Sequence, residues 1–366
     1  MLIGGQPHRS IWRDAKSGAI RIIDQTRLPH RFEIKTLGDL EAACEAIRVM
    51  RVRGAPLIGA TAAYGIHLAL AVDGSDGSLD AASDALIATR PTAVNLRWAV
   101  ERMRAVLRDV PVDARAARAR DEADRICDED ADACESIGTH GLGLFESLAT
   151  ARAGEPLRIL THCNAGWLAT VDWGTALAPI YKAHAAGIPI HVWVDETRPR
   201  NQGASLTAFE LREMGIPHTV VVDNAGGHLM QRGEVDAVIV GSDRTTASGD
   251  VCNKIGTYLK ALAAHAHDVP FYVALPFSTI DWSIEDGVAQ IPIEERSSEE
   301  VREITGLTAE GEVASVALFD AASPAANPAF DVTPSRYVTR LVTEHGVCRA
   351  SRAGLAALRA SAPTSD

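Results

Sequence analysis

The chain has 366 residues, of which 46% are hydrophobic and 23% are charged, values typical of a globular protein with a sizeable core. Its formal net charge of -12 argues against non-specific nucleic-acid binding, because phosphate backbones attract clustered Lys and Arg. The six cysteines include no Cys-x-x-Cys pair and no zinc-finger spacing, and we see no signal peptide. We therefore expect free thiols in a reducing cytoplasm.

The first part of the chain, residues 1–150, is predicted to form a mostly helical domain with two short strands, at residues 21–24 and 31–34. Its predicted helices are residues 37–51, a helix opened by Pro56, and residues 92–107 and 114–148, with a turn at residues 73–78. The longest apolar stretch, Ala55–Val72, contains small and polar residues that suit an interior helix better than a membrane span.

The second part, residues 151–366, follows a predicted linker at residues 151–156 and alternates strands with helices. The predicted strands are residues 157–162, 188–195, 219–223, 237–241 and 271–275. The predicted helices lie near residues 173–186, 205–214, 228–232 and 253–265. This alternation predicts an α/β fold with right-handed crossovers and a parallel sheet flanked by helices. The tail, residues 360–366, is predicted to be disordered.

Cys163 and Asp243 each follow an apolar run that reads as a buried strand. In an open parallel sheet the ligand crevice lies beyond the carboxyl ends of the strands, so both side chains can face one small molecule. A thiol and a carboxyl group together suggest an acid/base site without a metal or a nucleotide cofactor. A desolvated Asp243 would hold a proton near neutral pH and act as a general acid.

Each of these residues also has a purely structural interpretation. Cys163 fits a buried inert thiol, and Asp243 fits a helix cap or an ion-pair partner of Arg244. His162 is predicted to be a packed or hydrogen-bonded scaffold residue, because adjacent side chains of a strand point to opposite faces and cannot easily bond to each other.

Two segments are candidates for binding an anion. The first is Arg53-Gly54-Ala55-Pro56, where a glycine allows close backbone approach and a helix begins; an ordinary helix-entry turn is the alternative. The second contains Asn253 and Lys254, predicted to lie at a helix start just after the Asp243 loop. Further polar and turn residues follow other strands, among them Arg198 and Gln202.

The sequence lacks the motifs of several competing enzyme classes. No Gly-x-Gly-x-x-Gly follows a strand, and neither a P-loop lysine pattern nor a Gly-x-Ser-x-Gly elbow is present. We therefore expect no cofactor and no metal.

Ordered motifs resemble the methylthioribose-1-phosphate isomerase family, part of a superfamily shared with regulatory subunits similar to initiation factor 2B. They run from about residue 53 to residue 334, most of the chain. They include RGAP at residues 53–56, RPTAVNL at 90–96, THCNAG at 161–166, DETRP at 195–199, NKIGTY at 253–258 and NPAFDVTP at 327–334. The chain departs from the family pattern at Ser242, at Ser248 and in residues 223–228, positions that bear on substrate choice more than on reaction type.

The resemblance implies a smaller N-terminal domain, a Rossmann-like C-terminal domain and a homodimer in the cytoplasm. It implies Cys163 and Asp243 as the catalytic pair. It implies substrate contacts from Arg53, Gly54, Ala55, Arg90, Gln202, Asn253 and Lys254.

The reaction that the resemblance implies is the aldose–ketose isomerisation of 5-methylthioribose 1-phosphate to 5-methylthioribulose 1-phosphate in methionine salvage. The anomeric oxygen of this sugar carries phosphate, so the ring cannot open spontaneously to an aldehyde. We expect Asp243 to donate a proton for ring opening, and Cys163 to act as a base or to stabilise the transition state.

Two alternatives remain open. One is an isomerase of another 1-phosphorylated pentose, 5-deoxyribose 1-phosphate or ribose 1,5-bisphosphate; no second basic cluster for the bisphosphate stands out in the sequence. The other is a non-catalytic regulatory subunit of a translation factor, which the presence of both Cys163 and Asp243 disfavours.

Overall fold

The computed structural model describes residues 1–361 and has a mixed α/β fold. Five short strands and then five helices make up its N-terminal part. The strands are β1 (Leu2–Ile3), β2 (Gln6–Pro7), β3 (Ile11–Arg13), β4 (Ile20–Ile23) and β5 (Ile34–Leu37). The helices are α1 (Leu40–Arg48), α2 (Ala55–Val72), α3 (Asp76–Thr89), α4 (Val94–Leu107) and α5 (Val112–Ala151). Strands β3, β4 and β5 form a small antiparallel sheet.

Local hydrogen bonds shift several predicted boundaries in this part. The second strand, predicted at residues 31–34, lies later, at β5, because Arg31 N–H closes a turn onto Arg27 O at 2.8 Å. Helix α1 begins after Asp39, whose carboxylate caps it by accepting from Ala42 N–H at 2.8 Å. Helix α3 was not predicted. Ser75 caps it from within the predicted turn, accepting from Ser78 N–H at 3.2 Å.

Helix α2 is the centre of the N-terminal core, where it packs against α4 and α5. By length and composition alone it could cross a membrane, but 67% of its 18-residue window is buried inside the protein, as in the core helix of a globular fold. The prediction of an interior helix is confirmed.

Thirteen strands and seven helices make up the rest of the described chain. The strands are β6 (Leu157–Thr161), β7 (Ile190–Asp195), β8 (His218–Val221), β9 (Ala237–Val240), β10 (Arg244–Thr246), β11 (Val251–Lys254), β12 (Phe271–Ala274), β13 (Ile280–Asp281), β14 (Glu303–Leu307), β15 (Val313–Ala317), β16 (Phe330–Thr333), β17 (Arg340–Thr343) and β18 (Gly346–Cys348). The helices are α6 (Ala178–Ala185), α7 (Ala208–Glu213), α8 (Ala225–Gln231), α9 (Thr257–Ala266), α10 (Gly287–Gln290), α11 (Glu299–Arg302) and α12 (Arg352–Ser361).

The main sheet has seven strands in the order β18-β17-β12-β9-β6-β7-β8. All neighbours run parallel except β17 and β18. A second sheet, β13-β10-β11-β16, follows the carboxyl end of β9 in the chain. The predicted α/β class, with a parallel-dominated sheet and a mostly helical N-terminal region, is confirmed.

Two helices of this part begin later in the chain than predicted, so the predictions for their first residues are wrong. Asn253 and Lys254 do not begin a helix: they belong to strand β11, which pairs with both β10 and β16. Helix α9 begins later, after Gly256 at a φ of 101°. The helix predicted at residues 173–186 is α6, because Trp173 has a φ of 65°, which a right-handed helix does not allow.

Helix α5 connects the two parts of the protein. Its first half contributes Ala119 and Ile126 to the N-terminal core, and its second half packs Ile137 and Phe145 onto the main sheet. It ends at Ala151, beside the predicted domain boundary, and the division into two domains stays a prediction. At the other end of the chain, α12 includes Ala360 and Ser361, which corrects the predicted tail there; residues 362–366 lie outside the described residues.

Candidate active site

The parallel strands bring Cys163 and Asp243 to one edge of the main sheet. Cys163 follows β6 and Asp243 follows β9, the neighbouring strand. Both line a small cavity at that edge. Its lining residues are Met50, Arg53, Gly54, Arg90, Cys163, Arg200, Gln202, Asp243, Lys254, Arg296, Ala329 and Phe330. The strand ends at which the sequence predicted a ligand crevice therefore line one cavity. Residues of the N-terminal part, such as Arg53 and Arg90, also line it.

The backbone of Cys163 is held in an unusual conformation. Its φ is 66°, in the left-handed region that residues with a side chain seldom adopt. Two threonines fix it: Cys163 N–H donates to Thr197 Oγ1 at 2.8 Å, and Thr207 Oγ1 donates to Cys163 O at 2.8 Å. Strained backbone of this kind persists only where its surroundings hold it, and it is common at functional sites.

The thiol of Cys163 is buried beside cationic side chains. Burial raises its pKa, and the charge of Asp243 raises it further, while Arg53 and Lys254 lower it. The Nη2 of Arg53 lies 3.9 Å from the sulfur. The net direction is upward, so the neutral thiol is favoured at rest.

The carboxyl group of Asp243 is half-buried at the start of the second sheet. Its backbone N–H donates to Cys252 O at 2.9 Å. Burial raises the pKa of this carboxyl group, and the cations of Arg90, Arg53 and Lys254 oppose that shift. The direction is that required of a general acid, which must carry a proton before the reaction starts.

Five cationic side chains line the cavity of a chain whose net charge is -12. They are Arg53, Arg90, Arg200, Lys254 and Arg296. Two glutamates hold three of them: Glu294 binds Arg90 at 2.9 Å, while Glu300 binds Arg296 at 2.7 Å and Arg200 at 3.0 Å. Local positive charge of this density suits a phosphorylated ligand inside an acidic protein.

Arg200 and Arg296 were missed as site residues in the sequence. Arg296 lies within the range over which the family-like motifs are spread, residues 53 to 334, and Arg200 follows the cis peptide bond at Arg198-Pro199. Their distance in sequence from Cys163 and Asp243 gives no sign that the fold brings them to the same cavity.

Gly54 allows the N-terminus of α2 to approach the Cys163 loop. Its φ is 94°, and a Cβ atom there would lie 2.2 Å from Ala169 O. The amides of a first helical turn lack intrahelical partners and can bind an anion. The predicted cradle thus adjoins the cations, although its role as a binding site remains a prediction.

The remaining residues predicted to contact the substrate do not all line the same cavity. Gln202 is buried in the cavity wall, and its Oε1, like the Nε of Arg90, has no hydrogen-bond partner among the described residues. Ala55 lines a neighbouring cavity that shares Arg90 and Asp243. Asn253 is in the lining of neither cavity, and its Nδ2 donates to Thr257 Oγ1 at 3.0 Å. Eight of the nine predicted residues are therefore brought together.

The neighbouring cavity is largely apolar. Its lining residues are Ala55, Ile58, Arg90, Thr92, Ala93, Asp243, Arg244, Cys252, Ile291, Pro292 and Phe330. It adjoins the Asp243 side of the cationic cavity and suits a nonpolar substituent of a bound sugar.

His162 belongs to a buried polar cluster behind the site. Its Nδ1 lies 3.0 Å from Asp195 Oδ2 and its Nε2 lies 2.8 Å from Ile255 O, which confirms the predicted scaffold role. His162, Asp195 and Asp223 are close enough to hold a metal ion. However, the ammonium of Lys260 already lies 3.1 Å from Asp195. The geometry therefore favours a hydrogen-bonded cluster, and the absence of a metal remains a prediction.

Known proteins with similar sequences and structures include both isomerases and translation factors. The model of the "Initiation factor 2 subunit family" matches residues 51–350. A methylthioribose-1-phosphate isomerase of Methylorubrum extorquens is 63% identical over 358 residues, which cover 98% of each chain. The crystal structure of 5-methylthioribose 1-phosphate isomerase from Pyrococcus horikoshii superposes with a TM-score of 0.82 at 38% identity, covering 98% of this chain and 97% of that one. A structure described as translation initiation factor eIF-2B, subunit delta, from A. fulgidus has a TM-score of 0.78 at 38% identity, covering 96% of this chain and 99% of that one.

Proposed function

Since the chain belongs to the methylthioribose-1-phosphate isomerases within the initiation factor 2 subunit family, we propose that it converts 5-methylthioribose 1-phosphate to 5-methylthioribulose 1-phosphate. One observation carries the proposal: a buried thiol and a carboxyl group face one cavity whose wall holds five cationic side chains. A phosphorylated sugar supplies the charge that this wall attracts.

Ring opening is the first step that the site must perform. Asp243 donates its proton to the ring oxygen as the bond between C1 and that oxygen breaks, which leaves a cationic centre at C1. The raised pKa of Asp243 supports this role, because burial favours the protonated carboxyl group. The cations of Arg53, Arg90 and Lys254 bind the phosphate on C1 and hold the sugar in place.

Hydrogen transfer from C2 to C1 completes the isomerisation by one of two routes. In the first, Cys163 as a thiolate removes the C2 proton to form an enol and then returns it to C1. In the second, the C2 hydrogen moves with its electron pair to C1, and Cys163 remains beside the developing charge. In both, the C2 hydroxyl gives its proton to the Asp243 carboxylate as the ketone forms. The raised pKa of the thiol favours the second route.

The apolar cavity beside Asp243 supports the methylthio substrate over the bisphosphate. Ile58, Ile291 and Phe330 offer nonpolar surface next to the site, and a methylthio group that covers this surface removes it from water. The additional cations Arg200 and Arg296 line the same cavity as the first cluster and are held by Glu300. We therefore place the sugar's C5 substituent in the apolar cavity.

The proposal is tested by turnover of the purified protein on three substrates: 5-methylthioribose 1-phosphate, 5-deoxyribose 1-phosphate and ribose 1,5-bisphosphate. We expect the highest kcat/KM on the methylthio sugar. A higher value on the bisphosphate would reassign the substrate, and no turnover on any of the three would support the regulatory alternative that the name of the A. fulgidus relative suggests. Deuterium from solvent at C1 of the product would identify the enol route.

Further expectations accompany this function. We propose that the enzyme acts in methionine salvage in the cytoplasm as a homodimer. Light scattering of the purified protein measures its assembly, and a mass of one chain, 39.0 kDa, would contradict the dimer.

A further inference from the structure

The guanidinium of Arg53 is held by hydrogen bonds to the residue after Cys163. Its Nη1 donates to Asn164 Oδ1 at 2.7 Å, and its Nη2 donates to Asn164 O at 2.8 Å. The same Nη2 lies 3.9 Å from the sulfur of Cys163. The direction in which Arg53 points therefore depends on the side chain of Asn164.

The amide of Asn164 can satisfy Arg53 in only one orientation. A guanidinium has donors and no acceptor, so it needs the amide oxygen and would be opposed by the amide nitrogen. The nitrogen is directed the other way: it donates to Glu210 Oε1 at 2.8 Å and to Thr207 Oγ1 at 3.2 Å. Glu210 thus determines which end of the amide faces Arg53.

Glu210 is itself fixed by donors on every side. Its buried carboxylate also accepts from the backbone N–H groups of Trp167 at 3.0 Å and Leu168 at 3.1 Å, and from the hydroxyl of Tyr181. Burial raises the pKa of Glu210 to about 7, and these hydrogen bonds oppose the shift. Neither Glu210 nor Asn164 lines the cavity, so neither can touch a ligand there.

We propose that Glu210 and Asn164 are positioning residues that aim Arg53 at the phosphate and at Cys163. The relay runs from the carboxylate of Glu210 through the amide of Asn164 to the guanidinium. It rests on the function proposed above and adds two residues to it. When the relay is broken, Arg53 turns away from the site, so the protein binds a phosphorylated ligand more weakly while the acid Asp243 stays in place.

The test is a double-mutant cycle of Glu210→Gln and Asn164→Asp, measured by kcat and KM on 5-methylthioribose 1-phosphate. Each single change removes the match between hydrogen-bond donor and acceptor at the contact of Asn164 with Glu210. We expect KM to rise about 10-fold with a smaller change in kcat. The double variant moves the carboxylate to position 164 and a donor to position 210. Asn164→Asp alone sets its second oxygen against the carboxylate of Glu210, whereas in the double variant the amide of Glu210→Gln can donate to that oxygen, so we expect KM to recover most of the loss. Additive losses in the double variant would overturn the relay.

A second measurement tests whether Glu210→Gln changes KM by way of Arg53. In an Arg53→Ala background, Glu210→Gln should leave KM unchanged, because no guanidinium remains to be aimed. A 10-fold rise in KM there would assign Glu210 a merely structural role. The matched control is Glu213→Gln, one turn further along α7, whose carboxylate binds Gly4 N–H at 3.0 Å away from the site; it should behave as the wild type. If Glu210→Gln does not fold, Asn164→Ser tests the same contact to Arg53.

Failure of the relay can be separated from failure of the proposed function. If the wild type turns over the methylthio sugar and the variants match it, only the relay is wrong. If the wild type turns over none of the sugars, the function is wrong. The relay is then tested by isothermal titration of inorganic phosphate into the same variants, where Glu210→Gln should weaken binding about 10-fold and an unchanged affinity would reject it.

Discussion

The two strand ends that meet at the cavity are built differently. Around Cys163 the wall is polar and hydrogen-bonded: Thr197 and Thr207 hold its backbone, and Asn164 holds Arg53 beside its sulfur. Around Asp243 the adjoining cavity is mainly apolar, with Ile58, Ile291 and Phe330 among its lining residues. The first wall fixes where atoms lie, whereas burial beside the second raises the pKa of the Asp243 carboxyl group.

This difference explains how two titratable groups in one cavity can have separate roles. Burial raises both pKa values. For Asp243 a raised pKa supplies the proton that ring opening needs. For Cys163 the raised pKa keeps the thiol protonated, and the positive charges of Arg53 and Lys254 oppose that shift. Environments that separate the duties of neighbouring groups are typical of acid/base sites.

The largest effect is expected from Asp243→Asn, which removes the proton donor and keeps the size of the side chain. We expect kcat to fall by about 10³-fold, within the range of a positioned general acid. The control is Asp236→Asn just before the same strand β9, where the carboxylate pairs with Arg158 at 3.1 Å. It should retain turnover. Near-normal kcat for Asp243→Asn would remove the acid from the proposed mechanism.

A smaller loss is expected from Cys163→Ser, because the hydroxyl keeps the volume and the polar contact but cannot reproduce the sulfur. We expect kcat to fall by about 10²-fold. Cys348→Ser, which changes a half-buried free thiol on β18, serves as the control. Equal activities of the two variants would show that the thiol at the strand end is only structural.

The close approach of α2 to the Cys163 wall is tested by Gly54→Ala. A Cβ atom would clash with Ala169 O at 2.2 Å, at a φ of 94° that disfavours alanine. We expect the free energy of unfolding to fall by about 2 kcal/mol in urea titrations. Gly77→Ala in α3 meets only Ser75 Oγ at 3.8 Å and should instead stabilise by about 0.5 kcal/mol. Equal stabilities would refute the packing argument.

The apolar wall beside Asp243 is tested by Ile291→Ala. Removing buried nonpolar surface should lower kcat/KM for 5-methylthioribose 1-phosphate about 10-fold, and lower it less for the smaller 5-deoxyribose 1-phosphate. Val288→Ala on the exposed side of α10 is the control. Equal losses on both substrates would place the C5 substituent elsewhere.

The smallest effect is a shift in pH dependence. Asp243 must be protonated to act, so kcat/KM should fall as the pH rises through its raised pKa. The negative charge of Glu294 raises the pKa of Asp243. Arg90, which pairs with Glu294, has a positive charge that lowers it. Glu294→Gln should therefore lower the pKa and move the alkaline limb to lower pH, by less than about one unit. A limb that moves to higher pH, or that persists in Asp243→Asn, would assign the titration to another group.

Much of the fold and of the site could be predicted from the sequence, because its signals are local. Apolar runs that end in turn residues predicted β6 and β9, and Pro56 marked the start of α2. Parallel strands share one rim, so the position of Cys163 and Asp243 after such runs was sufficient to place them together. The cationic segments at Arg53 and Arg90 were found from their motifs.

Other features required the tertiary structure, since they depend on residues far apart in the chain. Asn253 and Lys254 of strand β11 were predicted to begin a helix because the pairing partners of this strand, β10 and β16, give no local signal of pairing. Arg200 and Arg296 become site residues only where the loops that carry them fold over the strand ends. The contact of Glu210 with Asn164 spans 46 positions of sequence.

The sequence by itself determined which chemical groups the protein has and which strand ends carry them, because hydrophobic periodicity and turn residues are properties of neighbouring positions. Only the tertiary structure decided the protonation and the aim of those groups. Burial and hydrogen-bond partners, which shift the pKa of Asp243 and direct Arg53, exist only after distant segments have packed together.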